Sequence, residues 1–237
     1  MPDMNESSER DPLHLALEVR PQDFGSAPAG RIREPIVEPL WSGLRVIAAT
    51  RGDDAVLLDE GEPIDGHERI RWHLATMLAT TTDGVVVDGY LTKQIASDAG
   101  IYTGLDELPS TGRLIAQSMI GIRRNRTEEA SKRLEAFTAS RSFADDDVVN
   151  LVITDLLWLD GEWLLDIPLL ERKRLLEAIV PGTDLVRAGA YVRPPVATWI
   201  GSWRAQGFAG ITFKEANSRY RPGTRASDWA SSSMPRR

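Results

Sequence analysis

The sequence predicts an α+β fold, on three observations. Short β-rich runs are joined by turn signals, stretches of helical spacing fall between them, and the two kinds of element follow no regular alternation. A chain of 237 residues with 42% hydrophobic content has enough apolar material to bury a full core as one large domain with tails.

Taken in order, residues 1–30 are polar and rich in Pro and Gly ("NESSERD", "RPQDFGSAPAG") around a short apolar island, "LHLALEV". This composition predicts a flexible N-terminal arm with one turn or strand docking on the body. A globular domain is predicted over 31–230, followed by a short tail over 231–237. Leu44 to Thr50 and Ala55 to Leu58 read as strands joined by "RGDD", a hairpin signal. Ile70, Leu74, Met77 and Leu78 keep helical spacing, with Asp65 placed to cap the first turn. "GVVVDGYLT" (84–92) and the apolar run within 145–161 read as strands buried on both faces. Residues 124–140 carry helical propensity with mixed charge. Asp166 and Pro168 start a helix that Pro181-Gly182 ends, and its charged residues read as a solvated face. "DLVRAGAYV" and "AGITFKEA" read as strands, with "TWIGSWRAQG" between them as a helix ended by Gly207.

Composition also excludes function classes. With no cysteine, disulfides, thiolate zinc sites and cysteine nucleophiles are all ruled out, and His14, His67 and His73 lack metal-ligand spacing, so no metal site is predicted. A net charge of −7 argues against broad attraction to nucleic acid. No apolar run approaches the roughly 20 residues of a membrane span, and "MPDMNESSERD" lacks the order of a signal peptide. A soluble, cytoplasmic protein without a membrane partner is the expectation. Neither a G-x-x-x-x-G-K-[ST] loop, a G-x-G-x-x-G after a strand nor a G-x-S-x-G elbow occurs.

Four segments carry a resemblance: "EPLWSGLRVIA", "VVVDGYL", "LVITDLLWLDGEWLLDIPLLERKRLLEAIV" and "GFAGITFKEANSRYRPGTRASDW". In this order, from about Glu38 to Trp229, they resemble the adenylation (nucleotidyltransferase) domain of ATP-dependent DNA ligases. Matched to them are E-P-K-x-D-G-x-R, a strand ending D-G-E, F-D-x-L-x-x-D-G…P-L-x-x-R, and E-G-x-x-x-K with a trailing Tyr-Arg-Pro-Gly run. The resemblance implies a ligase-like, ATP-grasp-like fold of antiparallel sheets flanked by helices. The family's further oligonucleotide-binding-fold domain is not expected in this chain.

The same resemblance implies altered chemistry. Leu40 stands where the family's lysine attacks the ATP α-phosphate, and an alkyl chain is no nucleophile. Ser42 replaces an aspartate, Asp59 an arginine that faces ribose or phosphate, Tyr90 the D-G-E glutamate and Ala209 a metal-holding glutamate. Ser231 and Ser233 fall on the lysines that neutralise the triphosphate. Glu38, Trp41, Arg45 and Lys214 persist as candidate nucleotide contacts, with a structural ion pair or hydrogen bonds at the cleft mouth as the other reading of Glu38 and Arg45. Of the other lysines, Lys93 is expected to face away from the site, and Lys132 and Lys173 to lie on solvated helix faces. Two basic segments are candidate nucleic-acid contacts: Arg123, Arg124 and Arg126, and Arg219, Arg221 and Arg225 with Tyr220 interleaved to stack on a base. Pairing of these arginines with the surplus carboxylates is the alternative.

The function expected is that of a non-catalytic pseudoenzyme with a binding or accessory role in DNA repair or recombination. It would require no cofactor, and its partners would be nucleotide or DNA, bound weakly, or a protein of a repair assembly. The alternatives are a divergent ATP-dependent DNA ligase, which would use ATP and Mg2+, and a purely structural interaction module.

Overall fold

The computed structural model describes residues 11–94, 149–183 and 185–234. The helix expected over 124–140, with Arg123, Arg124, Arg126 and Lys132, lies outside the described residues. Among those described, strands β1 (Asp23–Phe24), β2 (Pro35–Pro39), β3 (Leu44–Arg51), β4 (Asp54–Asp59), β5 (Glu62–Pro63) and β6 (Gly84–Thr92) are followed by β7 (Asn150–Leu159), β8 (Glu162–Trp163), β9 (Val186–Ala188), β10 (Gly210–Glu215), β11 (Arg225–Ala226) and β12 (Trp229–Ser233). Four helices accompany them: α1 (Pro12–Glu18), α2 (Glu68–Leu78), α3 (Leu169–Ile179) and α4 (Ala197–Ala205). The expected α+β architecture of mainly antiparallel sheets with flanking helices is the one observed.

The large sheet runs β5-β4-β3-β6-β7-β8, with β9 pairing parallel to β7. Strands β6 and β7 are buried on both faces, as their apolar runs require. One face, with Val46, Ala48, Val87 and Ile153, packs under Ile70, Leu74 and Leu78 of α2 and Leu176 of α3. The other face, with Ile47, Ala49, Val86 and Leu157, meets α1 through Ala16 and also Ile36 and Trp229 of the second sheet. That second sheet is three-stranded, in the order β12-β10-β2. The inter-sheet space, where this second core lies, is where the candidate residues gather.

Three local details differ from the sequence expectation. Helix α2 is entered through His67 in a left-handed conformation (φ 58) without a side-chain cap, and Asp65 stands outside the first turn. From Asp11 the segment docks through both a helix and a strand, where one turn or strand was expected. Asp11 caps α1 by accepting from the Leu13 N–H at 3.1 Å, Pro12 sits at the helix start, and β1 pairs parallel with β11. The capped helix turns Ala16 inward, and Val19 with the partly buried Leu13, Leu15 and Leu17 packs on the same cluster. At the other end, β12 carries ordered pairing through Ser233, so residues 231–233 belong to the sheet instead of a tail.

The Trp41-Ser42-Gly43 turn after β2 needs its glycine. Gly43 has φ +143, and a Cβ there would lie 2.1 Å from the Leu91 carbonyl oxygen.

Candidate functional site between the two sheets

Cross-strand pairing decides which residues share a face of the small sheet. Thr212 lies opposite both Glu38 and Ser231, Lys214 opposite both Ile36 and Trp229, and Gly210 opposite Ser233. Directly opposed residues point the same way and the pattern repeats every second residue. Glu38, Lys214, Ser231 and Ser233 therefore share one face. Leu40 continues it beyond the strand end, donating its N–H to the Gly210 carbonyl at 2.9 Å.

Trp41 is on the other side. With Val37 and Ile211 it joins the cluster under α4, its ring edge-on to Phe208 at 5.0 Å. The structure thus separates Trp41 from the remaining nucleotide-contact candidates. The alternation of side chains along β2 is the reason. The neighbouring Ser42 is buried, its N–H donating to Gln94 Oε1 at 2.7 Å and its carbonyl accepting from Thr92 Oγ1 at 2.6 Å.

Glu38 holds two lysines. Its Oε2 is 2.8 Å from Lys214 Nζ, and its Oε1 pairs with Lys173 Nζ. All three residues are at most 3% exposed (2% for Glu38, 1% for Lys173, 3% for Lys214). Burial pushes the Glu38 carboxyl up, but the two ammoniums outweigh it and hold the group below its ordinary range. For Lys173, burial lowers the ammonium's pKa and wins over the opposing pull of Glu38. Lys214 lies 4.4 Å over the Trp229 ring, and Lys173 5.4 Å over that of Tyr191.

Lys173 is therefore not on a solvated face, and neither is Arg172. Arg172 is fully buried and forms two parallel bonds to Asp155, Nε to Oδ1 and one terminal nitrogen to Oδ2, each 2.8 Å. The buried residues of α3 are Leu169, Arg172, Lys173 and Leu176, an i, i+3, i+4, i+7 stripe. That spacing was the available signal. The charges on two of its members masked it.

A third charged group faces the cleft from the large sheet. Arg45 grips Asp88 with Nε at 3.0 Å and a terminal nitrogen at 2.6 Å, and pairs with Asp88, not with Glu38. Tyr220 donates its hydroxyl to Asp88 Oδ2 at 2.8 Å and accepts from the Gln22 N–H at 3.0 Å. Tyr220 is 2% exposed and packs edge-on against Trp229, so it is not free to stack on a base. Tyr90, opposite Arg45, lies 5.8 Å under its guanidinium. Burial pushes the Tyr90 phenol up to about 12 against the opposing pull of Arg45.

The remaining candidates are on or near the surface. Asp59 is exposed at the end of β4, Ala209 is exposed with its carbonyl accepting from the Met234 N–H at 2.9 Å, and Ser233 is exposed. Arg219 pairs with Asp166 at 2.6 Å on the surface, whereas Arg221 and Arg225 are exposed and make no ion pair among the described residues. Among the described residues no group of three or more His, Asp or Glu side chains is placed to hold a metal ion, and no helix is long and apolar enough to cross a membrane.

The family model described as "ATP dependent DNA ligase domain" matches residues 119–231. The multifunctional non-homologous end joining protein LigD of Mycolicibacterium smegmatis is 27% identical over 223 residues, covering 89% of this chain and 24% of that protein. The LigD DNA repair protein of Mycobacterium tuberculosis is 30% identical over 99 residues, covering 42% of this chain and 13% of that protein. The chain thus spans about a quarter or less of these relatives. In fold it is similar to the crystallised ligase domain of M. tuberculosis LigD, with a TM-score of 0.60, 23% identity and coverage of 92% of this chain and 60% of that one. It is also similar to the bacteriophage T7 ATP-dependent DNA ligase solved with ATP, with a TM-score of 0.50, 14% identity and coverage of 90% and 67%. Family model, relatives and shared fold all point the same way: the chain is similar to ATP-dependent DNA ligase domains.

Proposed function

We propose that this domain does not adenylate itself and acts by binding, as an accessory of DNA repair. The observation that carries this reading is the place of Leu40. An alkyl side chain sits across from Gly210 on the face that also bears Glu38 and Lys214, where the family resemblance places the attacking lysine. The buried ammonium groups of Lys173 and Lys214 are both tied to Glu38. A nucleophile must have a free lone pair within reach of the reacting atom, and neither lysine offers one in this arrangement.

The residues present do not fit ATP with a divalent metal in the family's manner. Ser42 and Ala209 supply no carboxylate at two of the positions implied for metal and substrate, and Ser231 and Ser233 supply no charge for a triphosphate. Positioning and electrostatics provide most of the rate in such transfers, so these positions matter as much as the nucleophile. The repair setting rests on the relatives, which are named for non-homologous end joining.

A nick-sealing assay with ATP and Mg2+ on a singly nicked duplex tests the reading. No sealed strand is expected at any enzyme concentration. Sealing would instead establish a divergent ligase.

A further inference from the structure

Residues 11–25 are held to the body in two different ways. The first half is an apolar anchor: Pro12, Ala16 and Val19 are buried, and Asp11 pairs with Arg51 at 3.2 Å. Residues 20–25 are fastened by polar contacts instead. The Arg20 carbonyl accepts from the Gly223 N–H at 3.0 Å, and the N–H groups of Asp23 and Gly25 donate to the carbonyls of Thr224 and Trp229, each at 2.9 Å. The Gln22 N–H donates to the Tyr220 hydroxyl at 3.0 Å, and its side-chain oxygen accepts from the Arg221 N–H. Phe24 is the large apolar side chain of this half. Half-buried, it lies 5.9 Å from the Trp229 ring and 5.9 Å from Lys214 Nζ.

This second half carries a weak point. Gln22 is fully buried, yet its side-chain nitrogen has no hydrogen-bond partner among the described residues. A buried donor without a partner favours the state in which water reaches it. Segments with few buried apolar contacts are also the ones that open while the rest of the fold stays closed. We propose that residues 20–25 are a latch on the space between the two sheets, which swings out as one unit while α1 stays anchored and so admits solvent to Tyr220 and Lys214. Both are sealed when the latch is shut, at 2% and 3% exposed. The latch governs access to the cleft and holds whether or not the domain adenylates itself, so this inference and the proposed function fail separately.

The test is hydrogen exchange followed by NMR on wild type and Phe24→Ala, with acetylation of lysines by sulfo-NHS acetate as the second reading. Phe24→Ala is expected to speed exchange of the Gln22, Asp23, Gly25 and Gly223 amides together by about tenfold and to leave the β6 and β7 amides unchanged. Acetylation of Lys214 should rise by a like factor, measured against the exposed Lys93. Should Phe24→Ala not fold, Arg20→Ala, which loses the bonds to the Leu17 and Val19 carbonyls, is read the same way. Equal acceleration across β6 and β7, or none at the four latch amides, overturns the proposal. So does a faster latch with Lys214 acetylated no faster than in wild type.

Discussion

Leu40 lies across from Gly210, its N–H bonded to the Gly210 carbonyl at 2.9 Å, and a Cβ on residue 210 would come 2.8 Å from the Ser232 carbonyl oxygen and 3.1 Å from Leu40 Cδ2. The missing side chain at 210 makes room for both. Replacing Leu40 by lysine restores the nucleophile's chemistry at a position that is only 7% exposed, with Ser42 and Ala209 in place of the carboxylates the resemblance implies. The folded Leu40→Lys variant is expected to take up no adenylate from ATP and Mg2+, as read by denaturing electrophoresis with labelled ATP. A labelled band would show that the cleft retains more of the transfer machinery than this account assigns to it.

Arg172 and Asp155 are both fully buried, and each would be left with an uncompensated charge without the other. Arg172→Met is expected to lower stability by about 3 to 5 kcal/mol, measured by urea denaturation. The double change Arg172→Met/Asp155→Leu is expected to recover much of that loss, since no lone charge then remains in the core. A single variant as stable as wild type would contradict the assigned role.

Stability should fall at both ends of the pH range. The Glu38 carboxyl is held below its ordinary value of 4.5 in the folded state, so its contribution is present above 4.5 and is lost as pH falls through the lowered value. Tyr90 is raised from 10.0 to about 12, and Tyr220 is raised as well, both chiefly by burial. Between 10 and about 12 the unfolded chain ionises these phenols while the folded protein keeps their protons. Stability therefore declines with rising pH in that window. Thermal melts across the range check both limbs, and replacing Tyr90 with Phe should flatten the alkaline one.

Arg221 and Arg225 are free of ion pairs among the described residues, whereas Arg219 is paired with Asp166. Two arginines of this one segment neutralise few phosphates, against a net charge of −7. Fluorescence anisotropy with nicked duplex should show weak binding at about 20 mM salt that disappears at about 150 mM. Binding that persists at the higher salt, with preference for the nick, would point to a dedicated DNA-end site.

Much of this fold is readable from local pattern. The hairpin of β3 and β4 follows from "RGDD" between two apolar runs, and β6 and β7 follow from their length and continuous hydrophobicity. What is not readable depends on partners distant in sequence. Arg172 and Lys173 look like solvated helix charges until Asp155 and Glu38 are brought against them. Tyr220 looks like a base-stacking residue between two arginines until Asp88 and Gln22 claim its hydroxyl. The docking of residues from Asp11 onward is legible only as one turn or strand, because β1 finds its partner β11 about 200 residues away. The candidate site was legible as a set of altered positions, but not as a charge cluster, because Lys173 belongs to it only through the fold.

The most direct test of the central claim is the intact mass of the wild-type protein after incubation with ATP and either Mg2+ or Mn2+. The account predicts an unchanged mass under both conditions. A gain of one adenylate, mapped to any of Lys93, Lys132, Lys173 or Lys214, would contradict it.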